Sequence, residues 1–380
     1  MAIFLTPQLD ADALKVLGKI EDMKKRLGSM LSEPRRWEGL LRRVAFAKAI
    51  RGSNTIEGYN ITVDDAIAAV EGEPPLEADE QTWLEIKGYQ SAMTYVLQLA
   101  KDQHFAYSGD LLRSLHYMML QHDLSKGPGT WRPGQIYVRD DARGETVYEG
   151  PDAGLVQTLM GELTVGLNAT EEAHPIVRAA MAHLNLTMIH PFRDGNGRMA
   201  RCLQTLVLAR SGQHLNPVFS SIEEYLGRNQ QDYYRVLATV GMGQWHPERD
   251  ALPWIRFCLT AHFRQATTVL NRIERLHRVW DAIEAELVKR GLPDRTIYAL
   301  ADAAMGHNVR NPTYRKAADI TANLASRDLK LLVDQNLLEP KGDTKARYYV
   351  AAPIIREIRR ANETAKKEIP DPFHQLSLGI

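Results

Sequence analysis

Apolar residues recur at intervals of three and four along most of this chain, which is the spacing of one face of an α-helix. The pattern is strong in three segments, which read QTWLEIKGYQSAMTYVLQLA, SGDLLRSLHYMMLQHD and HPIVRAAMAHLNLTMI. The second of these has Ser108 or Asp110 as its capping residue, and a shorter helix is predicted from Thr62 to Gly72. We expect a break at Gly28 within the first helical segment. The pattern as a whole predicts a mainly α-helical protein.

A long amphipathic stretch begins at Thr268 and ends at Gly291 and Pro293. Its apolar stripe consists of Leu270, Ile273, Leu276, Trp280, Ile283 and Leu287. Such a stripe can pack within the chain or against a second copy, so the pattern allows a homodimer without requiring one.

The helical pattern stops at Gly127, where glycine and proline residues become frequent. Two short β-favouring pieces lie in this region, at Gln135–Val138 and Thr146–Tyr148. They predict a β-hairpin on the surface of the helical protein.

A compact unit follows Pro293 and resembles a winged helix-turn-helix. Its predicted helices span Asp294–Met305, Thr313–Ile320 and Ala322–Gln335, and two β-favouring pieces follow around a Lys-Gly-Asp turn. The third helix places Ser326, Arg327 and Lys330 where such a fold would read DNA. From Arg315 to Arg347 there are seven basic and five acidic residues, a small excess. DNA binding therefore stays possible, but packing or partner recognition is favoured.

Composition narrows the function classes. The 380 residues carry 47 basic and 47 acidic side chains, so no net field steers the chain toward nucleic acid or an acidic membrane. The only cysteines, Cys202 and Cys258, are far apart, which argues against a disulfide framework and favours a reducing compartment. Neither a signal peptide nor a membrane span is visible, so we expect a cytoplasmic protein without a membrane partner.

The stretch HPFRDGNGRMAR, His190 to Arg201, concentrates chemistry in twelve residues. Pro191 disfavours helical geometry at the residue before it, so the preceding helix should end at Ile189 and present the imidazole of His190. The run from Asp194 to Gly197 can form a nest of backbone N–H groups at a helix N-terminus, which is an anion site.

Charged side chains complete this anion site. Arg198 and Arg201 lie three residues apart on the next helix, and their guanidinium groups suit the phosphates of a nucleotide. Asp194 could hold Mg²⁺ through those phosphates. A neutral His190 could accept the proton of an attacking hydroxyl. Together these residues indicate phosphoryl or nucleotidyl transfer.

The same stretch resembles the signature of the Fic family at every fixed position, and the resemblance runs from about Arg43 to Cys258. It implies a mostly helical domain with a hairpin flap that transfers AMP from ATP to a protein hydroxyl. It further implies these roles: His190 as general base, Phe192 as core anchor of the loop, Asp194 as Mg²⁺ ligand, Gly195, Asn196 and Gly197 as phosphate cradle, and Arg198 and Arg201 as ligands of the β- and γ-phosphates.

A second motif, SNTIEG, places Ser53 and Glu57 on one helical face before Gly58. By itself it could be an ordinary capped helix end. It also resembles the inhibitory motif of the Fic class with an N-terminal inhibitory helix. That resemblance implies that Glu57 pairs with Arg201 and obstructs productive ATP binding.

The resemblance extends to two further sites. The hairpin, with Ile136, Tyr137 and Val138, resembles the flap that holds the target segment by strand addition. Tyr233 and Tyr234 resemble the paired tyrosines that line the adenine pocket. The hairpin tip, RDDARGE, does not identify the target.

We therefore expect an autoinhibited protein adenylyltransferase that uses Mg–ATP and modifies a Ser, Thr or Tyr hydroxyl of a protein target. Alternatives are AMP removal by the same site, transfer of another nucleotide, and a DNA-binding regulator whose Fic domain senses nucleotide. The expected organisation is an N-terminal helical region at 1–95, a catalytic domain at 96–258, a linking helix at 259–292, a winged unit at 293–355 and a tail at 356–380.

Overall fold

The computed structural model describes residues 3–32, 35–140, 144–169, 173–211, 217–343, 347–363 and 368–377. Within these ranges the chain is mainly α-helical and has two small antiparallel hairpins, which confirms the predicted fold class. Part of the hairpin tip, residues 141–143, and the end of the predicted tail lie outside the described residues.

The helices α1 to α8 span Ala11–Met30, Glu38–Ile56, Val63–Glu71, Glu80–Leu99, Gly109–Leu120, Val156–Asn168, Pro175–Ile189 and Asn196–Arg210. The helices α9 to α16 span Glu223–Arg228, Gln230–Gly241, Leu252–Arg290, Ile297–Met305, Asn311–Ala318, Ala322–Asp334, Pro353–Ala361 and Pro372–Ser377. The strands β1 to β4 are Tyr137–Asp140, Glu145–Glu149, Leu338–Lys341 and Tyr348–Ala351.

Capping residues set several of these boundaries. Thr62 accepts the backbone N–H of Asp65 at 3.0 Å and starts α3, which Gly72 ends with a left-handed φ of 78°. Ser108, one of the two predicted candidates, caps α5. The predicted break at Gly28 was wrong, because α1 continues to Met30. One glycine inside a helix costs only about 1 kcal/mol, which the packing of α1 outweighs.

The core of the molecule is the helix pair α7 and α8, joined by the loop at residues 190–195. Helix α4 packs against α5 and α8, and α2 packs against α9. The crossing of α2 and α9 is close, since a Cβ added at Gly52 would lie 2.3 Å from the carbonyl oxygen of Glu223. Because glycine allows this approach, the end of α2 reaches α8.

Helix α11 runs without interruption from Leu252 to Arg290, so the predicted boundary at 258/259 falls inside it. The boundary at 95/96 likewise falls inside α4, and that at 355/356 falls inside α15. The whole predicted stripe of α11 is buried within the chain, where α11 packs on α1 and α12. The stripe therefore gives no support to a homodimer, which stays a prediction.

The C-terminal unit has the predicted order of three helices, α12 to α14, and a hairpin of β3 and β4. Val309, just before α13, adds a bridge to Tyr349 through two backbone hydrogen bonds of 2.8 Å. On α14, Ser326, Arg327 and Lys330 are exposed. The winged helix-turn-helix interpretation and DNA binding stay predictions.

This unit is docked on α2 and α3 by ionic and polar contacts. Arg43 of α2 donates to both carboxylate oxygens of Asp302 on α12, at 2.5 and 2.7 Å, and both side chains are buried. Lys316 of α13 lies 2.8 Å from Glu71 of α3. The C-terminal unit therefore contacts the helix that carries the SNTIEG motif.

None of the helices in the described ranges is both long enough and apolar enough to cross a bilayer. Cys202 and Cys258 are buried free thiols.

Candidate active site

His190 lies at the end of α7, as Pro191 predicted, in a left-handed conformation with φ 51°. Its Nδ1 lies 3.0 Å from the carbonyl oxygen of Thr187. A carbonyl can only accept, so Nδ1 carries the proton and Nε2 of the neutral ring carries the lone pair. Burial lowers the pKa of His190 and outweighs this hydrogen bond, which raises it. The imidazole is therefore neutral at neutral pH and is a proton acceptor at Nε2.

The loop after His190 is closed by Asn196, whose side chain accepts from the N–H of Phe192 and donates to its carbonyl, both at 2.9 Å. Phe192 is fully buried and stacks on His116, with ring centroids 3.7 Å apart. His116 accepts from Gly129 N–H at Nδ1, so its Nε2–H donates to the carbonyl of Asp194 at 2.9 Å. The loop is thus held from both sides by a buried neutral histidine and an amide.

The two carboxylate oxygens of Asp194 have different partners. Oδ1 accepts the N–H of Gly195 at 2.6 Å, and Oδ2 lies 3.0 Å from the ammonium of Lys126. Gly195 caps α8 with φ 76°, a left-handed conformation that glycine adopts at low cost. The predicted turn into a helix N-terminus is therefore present.

The two arginines of α8 are buried but paired with different helices. Arg198 donates to Glu85 of α4 at 2.5 Å. Arg201 donates from Nε to Ser53 Oγ at 2.7 Å, and from Nη2 to the Ser53 carbonyl at 3.0 Å and Glu57 Oε1 at 2.5 Å. Burial lowers the pKa of Arg201, but the Glu57 carboxylate, together with Tyr233 and Tyr89, more than offsets it and raises this pKa.

Glu57 also lies against the N-terminus of α8. A Cβ added at Gly197 would be 2.5 Å from Glu57 Oε1. A carboxylate at this point faces the positive end of the helix dipole and the free N–H groups of the first turn. In this structure Glu57 is therefore the anion at the predicted anion site.

Hydrogen bonds join the hairpin of β1 and β2 to the end of α7, next to His190. Arg132 donates to the carbonyls of His190 at 2.9 Å, Gly134 at 2.7 Å and Pro151 at 2.5 Å. Tyr148 of β2 donates to the Met188 carbonyl at 2.8 Å. Because one arginine holds the hairpin base and His190 together, the hairpin has a defined position beside the imidazole.

The strand positions differ from the predicted ones. β1 begins two residues later than predicted, at Tyr137, and its register with β2 shifts between Val138 and Arg139. Ile136 therefore precedes the strand, where its carbonyl accepts from Gly150 N–H at 3.2 Å. Among the described residues β1 pairs only with β2, so its outer edge is open.

The paired tyrosines differ in exposure. Tyr233 is 1% exposed, and its hydroxyl lies 3.0 Å from Nε2 of the buried His183. Tyr234 is 50% exposed and donates to the carbonyl of Ile56, at the end of α2, at 3.1 Å. Tyr233 is thus a core residue here, and only Tyr234 faces solvent.

Sequence reasoning missed four charged or polar residues of this site. Lys126, Glu85, His116 and Arg132 contact the loop or its arginines, yet each lies at least 58 positions from its partner there. Lys126 precedes a left-handed Gly127 and Arg132 lies in the Gly/Pro-rich region, but such turns are common and give no chemical signal. The structure otherwise brings His190, the 194–201 segment, Ser53 and Glu57 into one cluster.

Comparison with known proteins points to one family. Residues 107–208 match the Fic/DOC family. A protein adenylyltransferase Fic of Nematostella vectensis is 29% identical over 258 residues, 66% of this chain and 54% of that protein. One from Culex quinquefasciatus is 32% identical over 219 residues, 56% of this chain and 39% of that protein. The chain thus spans about half the length, or less, of these curated relatives.

Solved structures share the fold. A Fic family protein from Desulfovibrio desulfuricans superposes with a TM-score of 0.58 at 22% identity, over 92% of this chain and 98% of that one. Fic-1 of Caenorhabditis elegans superposes with a TM-score of 0.54 at 23% identity, over 69% of this chain and 73% of that one. The chain carries a Fic domain, and residues 107–208 belong to the Fic/DOC family.

Proposed function

We propose that this chain is a protein adenylyltransferase held inactive by its own helix α2. The observation that carries the proposal is the position of Glu57. Its carboxylate contacts Arg201 and the N-terminal turn of α8, which together form an anion site beside a neutral histidine. An enzyme that binds a nucleotide phosphate there must first lose this internal anion.

His190 acts as the general base in this proposal. The hydroxyl of the target loses its proton to Nε2 of His190, while Nδ1–H stays bonded to the Thr187 carbonyl. The resulting oxygen bonds to the α-phosphorus of ATP as the bond from that phosphorus to the β-phosphate oxygen breaks. AMP stays on the target and pyrophosphate leaves. The N–H groups of the α8 turn and the freed Arg201 stabilise the negative charge on the leaving pyrophosphate.

Asp194 suits a bound Mg²⁺. Its Oδ2 already faces a cation, the Lys126 ammonium, at 3.0 Å. The described residues hold no group of three or more His, Cys, Asp or Glu side chains that could bind a metal by themselves. The ion would therefore rely on Asp194 and phosphate oxygens, as Mg²⁺ commonly does with nucleotides. When bound, it supplies charge neutralisation of the triphosphate.

The open edge of β1 supports a protein as the acceptor. An extended segment of the target can pair with Tyr137 and Val138 by strand addition, which is independent of side-chain identity. Arg132 joins the base of this hairpin to His190, so the added strand would lie beside the base.

The test is the intact mass of purified protein, wild type and Glu57→Gly, after incubation with Mg–ATP. We expect an added AMP on the variant and little on the wild type. One charge-assisted contact contributes about 1.5–3 kcal/mol, so labelling should rise roughly ten- to a hundredfold. Glu57→Gln removes the charge at nearly constant size and should give an intermediate increase.

Two controls separate the parts of this proposal. Glu57→Gly/His190→Ala should bind ATP but form the adduct at least about a hundredfold more slowly than Glu57→Gly, and equal labelling rates of these two variants would contradict the mechanism. Equal labelling of wild type and Glu57→Gly would contradict the inhibitory role of α2 alone.

A further inference from the structure

Four charged side chains form a continuous chain beside the loop, and two of them lie outside the 190–201 signature. Arg198 Nη1 contacts Glu85 Oε2 at 2.5 Å, and Glu85 Oε1 contacts Lys126 Nζ at 2.7 Å. Lys126 Nζ in turn contacts Asp194 Oδ2 at 3.0 Å. Glu85 comes from α4 and Lys126 from the 3₁₀ turn Leu124–Lys126. The chain thus links an arginine of α8 to the candidate metal ligand.

The charges in this chain are fixed. Burial raises the pKa of Glu85, but Arg198 and Lys126 outweigh it and lower that pKa to about 2. Burial lowers the pKa of Lys126, but Glu85 and Asp194 more than offset it and raise that pKa. Glu85 and Lys126 therefore stay ionised at neutral pH, and neither acts here as an acid or base.

Solvent access changes along the chain. Arg198 and Glu85 are each 1% exposed, whereas Lys126 is 20% and Asp194 39% exposed. Tyr59 donates to Glu85 Oε1 at 3.0 Å and adds to the buried anchor. The buried end is held rigidly, and the outer end, Lys126 with Asp194, faces the space next to the α8 N-terminus.

The ammonium of Lys126 therefore contacts Oδ2 of Asp194, an oxygen to which a metal ion could bind. Oδ1 of Asp194 already accepts the Gly195 N–H, so Oδ2 is the oxygen left for a cation, and the ammonium of Lys126 lies on it. A divalent ion at Oδ2 would compete with this ammonium for the same oxygen. Glu85 and Asp194 take two of the three donors of the Lys126 ammonium, so the third can reach a phosphate oxygen with or without metal.

We propose that Lys126 is the cation that Mg²⁺ exchanges with at Asp194, and that it binds the nucleotide phosphates with Glu85 as its anchor. This inference rests on the proposed function, because it assigns the residue to the same nucleotide site. It makes Lys126 a phosphate-binding residue and Glu85 a positioning residue for both Lys126 and Arg198.

If Mg²⁺ replaces the Lys126 ammonium at Asp194, removal of Lys126 should change how strongly Mg²⁺ increases the affinity for ATP. Without metal, ATP should lose about ten- to a hundredfold in affinity when Lys126 becomes Met, the value of one charge-assisted contact. With Mg²⁺ the loss should be smaller, since the metal no longer displaces an ammonium from Asp194. The ratio of the ATP Kd in EDTA to that in Mg²⁺ should therefore be larger in Lys126→Met than in the parent.

The experiment measures ATP binding by calorimetry, in EDTA and in Mg²⁺, for full-length Glu57→Gly/His190→Ala, in which Arg201 is free and no transfer consumes ATP. Lys126→Met is added to this parent, and Lys126→Arg should largely restore the parent ratio. Lys87→Met is the matched control, because Lys87 is a partly buried lysine of α4 whose hydrogen bonds within the described residues go to Ala69 O and Gln90, at 3.2 Å each. It should leave the ratio unchanged.

The outcomes distinguish the inference from the function. A larger ratio in Lys126→Met supports exchange at Asp194. Equal losses of affinity in EDTA and in Mg²⁺ would indicate a purely structural role and overturn the inference while the adenylyltransferase proposal stands. Absence of ATP binding in the parent would overturn both.

Discussion

Arg198 and Arg201 lie one turn apart on α8, yet their side chains form hydrogen bonds to different helices. Glu85 of α4 holds Arg198, and Ser53 and Glu57 of α2 hold Arg201. Withdrawal of α2 would therefore free Arg201 and leave Arg198 in place. At this scale the proposed inhibition acts on Arg201 by direct contact, whereas Glu57 reaches Arg198 through its charge.

The protonation of His190 gives a pH prediction. Burial lowers the pKa of His190 below the ordinary value of about 6.5, so the base is already neutral at pH 7. Labelling by Glu57→Gly should be nearly constant above neutral pH and should fall as acid protonates Nε2. Initial labelling rates over a range of pH test this, with ATP binding measured at each pH as the control.

A labelling rate that keeps rising well above neutral pH would contradict this assignment. Replacement of His190 by Ala should lower the rate by about 10²–10⁴-fold, the usual contribution of a general base.

The residues of the loop from His190 to Arg201 could be predicted from the sequence, because their types and their order along the chain indicate a phosphate site. The geometry confirmed that His190 ends α7 and that Asp194 to Gly197 lead into α8. Lys126 and Glu85 gave no signal, because a lysine before a glycine and a glutamate within a helix are common everywhere. Their importance comes from contacts across 68 and 113 positions, which periodicity cannot reveal.

At the scale of elements, helix α2 depends on its glycine crossing with α9. Gly52→Ala would place a Cβ 2.3 Å from the Glu223 carbonyl, so the two backbones must separate. We expect a loss of about 1–3 kcal/mol in the free energy of unfolding, as for other overpacked sites. Because Ser53 follows directly, labelling should also increase. Urea unfolding and intact mass measure the two effects.

Gly39→Ala in the same helix is the matched control, since nothing lies within 4 Å of a Cβ there. It should leave labelling unchanged and stability unchanged or up to about 1 kcal/mol higher, because alanine favours the helix. Equal stability of the two variants would show that the crossing tolerates a methyl group.

Helix boundaries could be predicted closely where a cap marks them, as at Thr62 and Gly72 of α3. The first strand was misplaced by two residues, because a short alternation of side chains does not define where pairing begins and the register shift after Val138 adds an irregularity. The family resemblance ends at Cys258, but α11 continues without a break to Arg290, because the end of a sequence resemblance need not coincide with the end of a helix.

At the scale of the whole molecule, the buried pair of Arg43 and Asp302 joins the C-terminal unit to α2. Arg43→Ala would leave a buried carboxylate without this partner, so we expect a loss of about 3–5 kcal/mol in the free energy of unfolding. Urea unfolding measures it.

Lys316→Ala serves as the control, because Lys316 is 69% exposed in its pair with Glu71. Such surface pairs contribute about 0–1 kcal/mol. Similar small losses in both variants would mean that the docking of the C-terminal unit does not depend on the buried pair.

Helix α2 contacts the docked C-terminal unit through Arg43, and through Ser53 it contacts Arg201, the proposed phosphate ligand. With a rise of about 1.5 Å per residue, α2 covers the roughly 15 Å between Arg43 and Ser53 as a single rod. Thermodynamic linkage then makes the two contacts reciprocal. Any partner that binds the C-terminal unit better when α2 is withdrawn would raise the affinity for ATP, and ATP would raise the affinity for that partner by the same factor.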